Sequence, residues 1–295
     1  MTSGFVLITA AHNEAAFIDR TCRSVLAQRL PPDRWIVVDD ASSDETGSIV
    51  SRHRDAHPGL IELIRVDRPA GRDFGNKARA FALGLERARE IGFRFVGNVD
   101  ADITLEDDYY QRMLQAFSAD ERLGIVGGMV ASAIGGNYVR QEVALDSVAG
   151  AIQLFRAECF DAIGGYVPLP YGGLDAAAEI RARMLGWRVR TLPEVLVKEH
   201  RRTGSATAHP IRARLREGRR MYSLGYAPSF FAARCFRRAR EDPVIVGSLG
   251  ALLGYTLAAV RREPRALPPE VIEYLRAEQR AKLARLFRRA PSSQE

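Results

Sequence analysis

Two aspartates one residue apart end the segment VGNVDADI at residues 96–103. Carboxylates this close repel each other, and burying them without a partner would be costly. Asp100 and Asp102 therefore lie either in an exposed turn or around a positive charge. Mg²⁺ and Mn²⁺ prefer oxygen ligands and are commonly held by one or two carboxylates together with phosphates. An isolated Asp-x-Asp pair is more often a turn or cap than a metal site.

A second acidic pair, Asp39-Asp40, follows the apolar run WIVV, and two serines and Asp44 come next. Carboxylates and hydroxyls in this position can accept hydrogen bonds from a base and a ribose, or they can form a turn and a helix cap. We expect Asp44 to be a cap and the acidic pair to bind a ligand. A third polar cluster, residues 12–14, follows the apolar run FVLITAA.

The elements that must position these residues alternate along the first half of the chain. Apolar runs predict strands at residues 5–10, 35–40, 60–66 and 93–99. Amphipathic stretches predict helices that begin near residues 14, 43, 76 and 105. This alternation predicts an α/β fold, a Rossmann-like, mostly parallel central sheet flanked by helices. Ligands of such sheets bind at the carboxyl ends of the strands, so we expect the polar clusters to converge.

The net charge of +7 is concentrated in one segment. Residues 201–240 contain eleven arginines and one acid, Glu217, and carry +10, so the remainder carries −3. A basic segment beside a mildly acidic body predicts an anionic partner, such as lipid head groups, nucleic acid or a phosphorylated substrate. No nucleic-acid recognition motif accompanies the arginines, so we expect no nucleic acid as a partner.

Length and cysteine content bound the organisation of the chain. The 295 residues suffice for one large domain with an appendage. We expect a catalytic domain at 1–200, a helical basic extension at 201–290 and a disordered tail at 291–295. Three distant cysteines, Cys22, Cys159 and Cys235, predict reduced thiols in a cytosolic protein. The N-terminal residues predict a strand, and we expect no signal peptide.

An uncharged run of eighteen residues, 243–260, is flanked by basic segments. Spanning a bilayer takes about 20 residues, so a buried core helix, a single membrane span and a helix in the interface all stay open. Gly250 and Gly254 have the spacing of associating helices. Three phenylalanines interleave with the upstream arginines: Phe230, Phe231 and Phe236. This pattern favours association with an anionic membrane surface.

Six segments, in order, resemble the family 2 glycosyltransferases with the GT-A fold. They are ITAAHNE, IVVDDASSDET, GNKARAFALGLERA, NVDADI, LFRAECFDAIGGY and GGLDAAAEIRARMLGWRV, between residues 8 and 189. The resemblance implies inverting transfer of a sugar from a nucleotide-diphosphate donor, expected to be a UDP-sugar, with Mn²⁺ or Mg²⁺. The expected acceptor is a hydroxyl of a lipid-linked molecule or a polysaccharide.

The resemblance also implies roles for particular residues. The implied contacts to the nucleotide sugar are His12, Asn13, Glu14, Asp39, Asp40, Lys77, Arg79 and Asp100. The first five would lie near the base and ribose, and Lys77 and Arg79 would approach the phosphates. The implied metal ligands are Asp102 and His200. A lone histidine is more often structural, so His200 is either a structural residue or a metal ligand.

Asp175 falls on the position of the family's catalytic base, in the frame Asp175, Arg181, Gly186. A carboxylate at a helix N-terminus is kept ionised by the helix dipole and can accept the acceptor's proton. Asp175 can equally be a simple N-cap, in which case Glu179, one turn along the helix, is the substitute candidate for the catalytic base. The family's usual glutamate before the base is Leu174 here, which leaves it open whether catalysis is impaired.

The chain lacks the Gln-x-x-Arg-Trp motif and the long transmembrane helices of the family's processive synthases, so we expect one sugar per encounter. Two alternatives are a sugar nucleotidyltransferase and a membrane scaffold that binds nucleotide sugars without turnover. The first needs a glycine-rich basic loop after the first strand, and AAHNEAAF has none. Leu174 is the one hint of the second. We expect a cytoplasmic protein at the inner face of the cell membrane, held peripherally or by a single helix.

Overall fold

A computed structural model describes residues 4–67, 75–141, 144–201, 210–237 and 246–289. The chain divides into two compact units, Met1–Pro170 with Leu174–Thr203, and Tyr171–Gly173 with Gly204–Glu295. In the described part of the chain, the first unit contains all the strands and the second is helical. The tail expected to be disordered, 291–295, lies outside the described residues.

The first unit is built on one sheet, with nine strands in the described residues. The strands are β1 (Phe5–Ala11), β2 (Arg34–Asp40), β3 (Ile61–Val66), β4 (Phe95–Asn98), β5 (Ile103–Leu105), β6 (Leu123–Ile134), β7 (Asn137–Arg140), β8 (Leu154–Arg156) and β9 (Arg188–Glu199). Their order is β3-β2-β1-β4-β8-β6-β9-β5, and β7 pairs with β6.

Ten helices are described. Those of the first unit are α1 (Ile18–Leu26), α2 (Thr46–Ala56), α3 (Asn76–Ile91), α4 (Tyr109–Ala119), α5 (Ala157–Ala162) and α6 (Leu174–Met184). Those of the second are α7 (Pro210–Ser223), α8 (Pro228–Arg237), α9 (Val246–Val260) and α10 (Pro269–Arg289).

The half of the sheet formed by β1 to β4 is parallel, with β1 between β2 and β4. Successive side chains of a strand point to opposite faces, and both faces are apolar here. Phe5, Leu7 and Val37 belong to the core on one face. Ile8 and Val38 belong to the core on the other. The predicted α/β fold, with a mostly parallel sheet flanked by helices, is confirmed.

The other half of the sheet is mixed, since β8 is antiparallel to β4 and β6 while β9 is parallel to β6. The prediction of a helix beginning near Leu105 is wrong, because Ile103–Leu105 is strand β5 and α4 begins at Tyr109. Antiparallel pairing with β9 satisfies the backbone hydrogen-bonding groups of β5. The same pairing brings His200 beside Asp102, and the His200 N–H donates to the Asp102 carbonyl at 2.9 Å.

In the second unit, α9 packs closely on α7. A Cβ on Gly254 would lie 2.0 Å from the Leu215 carbonyl oxygen, and one on Gly218 would lie 1.9 Å from that of Ala251. Only glycine permits such an approach of two helix backbones. The helix association predicted from the spacing of Gly250 and Gly254 therefore occurs within the chain. No helix among the described residues is both long enough and apolar enough to cross a bilayer.

Candidate active site

A cavity of about 300 Å³ opens in the first unit where the strands β1, β2 and β4 end. Its lining residues are Ala10, Ala11, His12, Glu14, Asp40, Asn76, Lys77, Asp100, Ala101, Asp102 and Arg201. The structure thus brings together polar residues from all three strand ends. The N-terminus of α3 contributes Asn76 and Lys77, and the residues after β9 contribute Arg201.

Asp100 is neutralised by Lys77, whose Nζ donates to Asp100 Oδ1 at 2.6 Å. The same oxygen accepts a hydrogen bond from Asn98 Nδ2 at 2.9 Å. Burial lowers the pKa of Lys77, but the opposing attraction of Asp100, with smaller contributions from Asp175 and Asp102, raises it overall. Lys77 is therefore a permanent cation in the cavity.

Asp102 differs from Asp100, because its carboxylate accepts no hydrogen bond from another side chain in the described residues. Burial, followed by repulsion from Asp100 and Glu199, raises its pKa to about 7. Glu14 is paired with Arg201, whose Nη2 lies 2.5 Å from its carboxylate. Burial nevertheless raises the pKa of Glu14 to about 7, against the attraction of Arg201. The described lining of the cavity thus contains four carboxyl groups, those of Glu14, Asp40, Asp100 and Asp102, and two cations, Lys77 and Arg201.

The donor set suits a hard divalent cation. Asp102 offers carboxylate oxygens, which Mg²⁺ and Mn²⁺ prefer, and an ion there would oppose the burial and the repulsion from Asp100 and Glu199 that raise its pKa. No group of three histidine, cysteine, aspartate or glutamate residues in the described ranges is arranged to hold a metal by itself. A cation held by Asp102 would take further oxygen ligands from phosphate and water, as Mg²⁺ commonly does.

His200, the other implied metal ligand, has both ring nitrogens in contact with hydroxyl groups. Nε2 lies 2.6 Å from Thr104 Oγ1, and Nδ1 lies 2.7 Å from the Tyr138 hydroxyl. Burial, and then the charges of Arg20 and Lys198, lower the pKa of the imidazole. The ring is neutral at pH 7, but it would have to exchange a hydroxyl partner to bind a metal.

The strand-end residues expected near the base and ribose divide into two groups. His12 and Asp40 line the cavity, and His12 Nδ1 donates to the Asp40 carbonyl at 2.6 Å. Asn13 does not line it. Asn13 has a left-handed φ of 55°, and its Oδ1 accepts the Ser43 N–H at 2.8 Å, so it joins the two loops that follow β1 and β2.

Asp39 lies on the opposite face of β2 from Asp40. Its Oδ1 accepts the Ser42 N–H at 3.2 Å, and a Cβ on Gly47 would lie 2.5 Å from its Oδ2. Asp39 therefore packs against the start of α2 and is absent from the cavity lining. Asp44 accepts the N–H of Thr46, the first residue of α2, at 3.0 Å, but the N-cap of this helix is Glu45, so Asp44 lies one residue before the cap position predicted for it.

Arg79 lines a neighbouring cavity of about 390 Å³ beside α3 and the ends of β2 and β3. This second cavity shares Asp40 and Asn76 with the first and is otherwise lined mostly by apolar residues of α3 and by Val66. Arg79 hydrogen bonds to Asn76 through its guanidinium group. The structure thus separates Arg79 from Lys77, although the sequence suggests one phosphate-binding role for both.

Asp175 is the second residue of α6, which begins at Leu174, so it lies inside the first turn and is not the N-cap. Its carboxylate accepts no hydrogen bond from the residues that the structure describes, and it is half-buried. A Cβ on Gly150 would lie 2.8 Å from Asp175 Oδ2, and the Gly150 carbonyl accepts Asn98 Nδ2 at 2.7 Å. Asp175 therefore lies beside the Asn98–Asp100 cluster, and its carboxylate accepts no hydrogen bond within the described part of the chain.

Glu179, the substitute for Asp175 in the sequence, has a different environment. It is 4% exposed and accepts hydrogen bonds from Val148 N at 2.7 Å, Ser147 Oγ at 2.8 Å and Gln153 Nε2 at 3.0 Å. Burial raises its pKa to about 7, while the hydrogen bond from Val148 opposes the rise. These contacts hold the segment before β8 in place, and they favour Asp175 over Glu179 as the base.

The sequence does not single out Arg201 or Asn76, although both line the cavity. Arg201 lies among other arginines and has no distinguishing motif. Its guanidinium carbon lies 5.2 Å from the centre of the Phe17 ring, and its partner Glu14 is 187 residues away in the chain. Asn76 is signalled only by its position at the start of a predicted helix.

The raised pKa values predict an unusual pH dependence of stability. Between pH about 4.5 and 7, Glu14, Asp102 and Glu179 hold protons in the folded chain and lose them on unfolding. Because the folded state binds more protons, the free energy of unfolding of the metal-free protein should contain a contribution that falls by about 3 kcal/mol or more as pH rises through this window. Urea titrations at several pH values measure it. The Glu179→Gln variant should show a smaller fall, and an equal fall would contradict the assignment.

Acidic residues at the carboxyl ends of parallel strands, with a lysine and an arginine beside them, are typical of α/β proteins that bind anionic or nucleotide ligands at that edge. The family model described as "Glycosyl transferase family 2" matches residues 6–163, more than half of the chain. The chain belongs to this family and is a glycosyltransferase.

Curated relatives match a shorter region. Poly-beta-1,6-N-acetyl-D-glucosamine synthase of Staphylococcus epidermidis is 29% identical over 125 residues, 42% of this chain and 28% of the relative. The synthase of Staphylococcus aureus (strain COL) matches over the same shares. The matched region thus spans little more than a quarter of the length of these relatives.

Solved structures match most of the chain. A mannosyltransferase from Pyrobaculum calidifontis, PcManGT in complex with GDP-Man and Mn²⁺, has a TM-score of 0.58 at 20% identity, covering 99% of this chain and 82% of that one. S. aureus TarS 1–349 in complex with UDP-GlcNAc has a TM-score of 0.53 at 16% identity, covering 93% and 78%. These likenesses show the fold, in agreement with the GT-A fold that the sequence implies.

Proposed function

We propose that this glycosyltransferase moves a sugar, one per encounter and with inversion, from a nucleotide-diphosphate donor to an acceptor hydroxyl with the help of Mn²⁺ or Mg²⁺. The observation that carries the proposal is the cavity at the strand ends, where four carboxyl groups, those of Glu14, Asp40, Asp100 and Asp102, lie with only two lining cations among the described residues, Lys77 and Arg201. A divalent metal ion would offset the excess of carboxylates, and the same ion would hold the oxygens of the donor's diphosphate. The neighbours with bound GDP-Man and UDP-GlcNAc support such a donor. We expect a UDP-sugar here.

The donor's nucleoside would bind at the ends of β1 and β2, where Asp40 and His12 line the cavity and the second cavity adjoins them. Asp40 would accept hydrogen bonds from the base or ribose. Lys77 and Arg201 would face the phosphates, because they are the cations of the cavity lining. Asp39 and Asn13 would act indirectly, by holding the loops after β1 and β2.

The metal would be held by Asp102, with His200 as a second ligand if its ring exchanges a hydroxyl partner. When bound, the ion neutralises the negative charge that develops on the leaving diphosphate. Asp100 would remain with Lys77 and position it toward the phosphates.

Asp175 would act as the general base. The acceptor oxygen forms a bond to the anomeric carbon, the bond from that carbon to the diphosphate oxygen breaks, and the acceptor's proton passes to the Asp175 carboxylate. Attack on the face opposite the leaving group inverts the anomeric centre. An unengaged carboxylate suits this role, since it need not lose an existing hydrogen bond to accept the proton.

The acceptor is proposed to be a lipid-linked molecule or a polysaccharide at an anionic membrane surface, on the cytoplasmic side. The 92 residues from Gly204 to Glu295 contain eighteen lysines and arginines and eight acids, so the second unit is strongly basic. Anionic lipids attract such a surface. The curated relatives, which are named as polysaccharide synthases, support a glycan acceptor.

A donor panel tests the proposed function. The chain is mixed with UDP-, GDP-, and dTDP-sugars and Mn²⁺, and both thermal shift and free nucleoside diphosphate are measured. A true donor raises the apparent stability by mass action, and added acceptor increases release of the diphosphate. Release of pyrophosphate would instead support a nucleotidyltransferase, and binding without any turnover would support a scaffold.

Replacing Lys77 by methionine should weaken donor binding about 10- to 100-fold, because a charge-assisted hydrogen bond to a phosphate is lost. The affinity for the donor is measured by isothermal titration with Mn²⁺ present. Lys282→Met, a partly exposed lysine of the second unit, is the matched control and should bind the donor as the wild type does. Unchanged affinity in Lys77→Met would remove this residue from the donor site.

A further inference from the structure

Helix α9 exposes a continuous apolar stripe. Val246, Leu249, Leu253, Leu257 and Val260 recur at helical spacing along one face, and they are 50%, 58%, 53%, 39% and 75% exposed. With a rise of about 1.5 Å per residue, the stripe is about 20 Å long. Isolated exposed leucines are ordinary, whereas a continuous exposed apolar surface marks a binding surface.

The opposite face of α9 is fixed against its neighbours. Gly254 lies against the backbone of α7 and Gly250 faces the Arg214 side chain of that helix, and the Tyr255 hydroxyl donates to the Tyr226 carbonyl at 2.6 Å. The helix contains no charged residue, and Ser248 donates its hydroxyl proton to the Cys235 carbonyl at 2.8 Å. A helix that is apolar on all sides is normally buried. Here its packing on α7 leaves the leucine face outward, where it needs a partner.

Arginines lie at both ends of the stripe. Arg261 and Arg262 follow the last residue of α9 and are exposed. At the other end, the bond between Ser248 and Cys235 brings the end of α8 close, with Phe236 86% exposed and Arg237 exposed beside it. A leucine stripe between exposed arginines complements a surface that is apolar inside and anionic at its boundary. Anionic lipid in a bilayer leaflet has this arrangement.

We propose that α9 docks on an anionic membrane by lying in the plane of the interface, with the Val246–Val260 stripe inserted among the acyl chains and the arginines on the lipid phosphates. The inference rests on the proposed membrane association and identifies the element responsible for it. A second copy of this chain would also cover the apolar stripe. In a symmetric pair, however, the arginines of one copy would face the arginines of the other, so their charges would repel.

Vesicle co-sedimentation of the full chain tests the proposal, with vesicles of phosphatidylcholine alone and of phosphatidylcholine and phosphatidylglycerol in equal parts. The wild type should bind the anionic vesicles and bind the neutral ones far less. The double variant Leu249→Asp/Leu253→Asp should bind about 10-fold less or weaker still. Arg237→Glu and Arg261→Glu should each weaken binding about fivefold or more, and added salt should weaken wild-type binding.

Leu185→Asp, an exposed leucine of the first unit that is 49% exposed, is the matched control and should bind vesicles as the wild type does. Thermal unfolding checks that the leucine variants fold, and sedimentation equilibrium measures self-association. Binding that persists in Leu249→Asp/Leu253→Asp, or a wild-type dimer that this variant abolishes, would overturn the proposal. Leu249→Asp/Leu253→Asp should turn over the donor in solution as the wild type does. A wild type that binds vesicles but shows no turnover would therefore contradict the proposed transfer activity and not the membrane docking.

Discussion

Asp102→Asn should reduce sugar transfer about 1,000-fold and abolish the stabilisation that Mn²⁺ and donor give together. Asp100 accepts hydrogen bonds from Lys77 and Asn98, whereas the Asp102 carboxylate has no such side-chain partner in the described residues. It is therefore the group best able to hold a metal. An amide is a poor substitute for a carboxylate as a ligand to a hard cation, and loss of metal-assisted charge stabilisation is worth several kcal/mol in the barrier.

The same substitution should not destabilise the metal-free fold. Asp102 is repelled by Asp100 and Glu199, so a neutral amide of the same shape removes that repulsion. We therefore expect the melting temperature of metal-free Asp102→Asn to equal or exceed that of the wild type at pH 8, while activity is lost. Asp107→Asn is the control, because that carboxylate is 55% exposed and pairs with Arg29 on the surface. Transfer at the wild-type rate in Asp102→Asn would show that the metal assignment is wrong.

Asp175→Asn should lower kcat for transfer by about 10²- to 10⁴-fold and leave the affinity for the donor nearly unchanged. The asparagine side chain has the same shape, so packing against Gly150 is kept, but it cannot take the acceptor's proton. Single-turnover rates with saturating donor and acceptor measure the step, and titration of donor measures the binding.

Glu179→Gln supplies the comparison for the base. Glu179 accepts three hydrogen bonds in the interior, so its replacement should change stability more than kcat, provided rates are measured below the melting temperature. If Asp175→Asn keeps wild-type turnover and folded Glu179→Gln loses all turnover, then Glu179 and not Asp175 is the general base. Leu174 is 8% exposed and packs inside, so the family's usual glutamate is replaced here by a core residue.

The sequence by itself determined the parallel half of the fold. Runs such as FVLITA and WIVV contain enough apolar residues to be buried on both faces, and the helices between them force parallel pairing. Because parallel strands end at one edge, the sequence also placed residues 12–14, Asp40 and Asp100 in one neighbourhood. The identification of Asp175 as a candidate base likewise needed only local sequence, namely its spacing from Arg181 and Gly186.

Only the tertiary structure decided between neighbours with the same chemistry. Asp39 and Asp40 are adjacent acids, but successive side chains of a strand point to opposite faces, and α3 covers the face on which Asp40 lies. The sequence does not say which face will carry the cavity, so it could not separate the two.

Contacts between residues far apart in the chain decided the other features of the fold and the site. Ile103–Leu105 is a strand because β9 lies beside it, and Arg201 reaches Glu14 from 187 residues away. Glu179 and Asp175 are one turn apart, yet one is enclosed by the segment 147–153 and the other is unengaged in the described residues. Periodicity and spacing report on contacts within a few residues along the chain. The charge balance of the cavity depends on which distant groups fold against each carboxylate, and no local pattern encodes that.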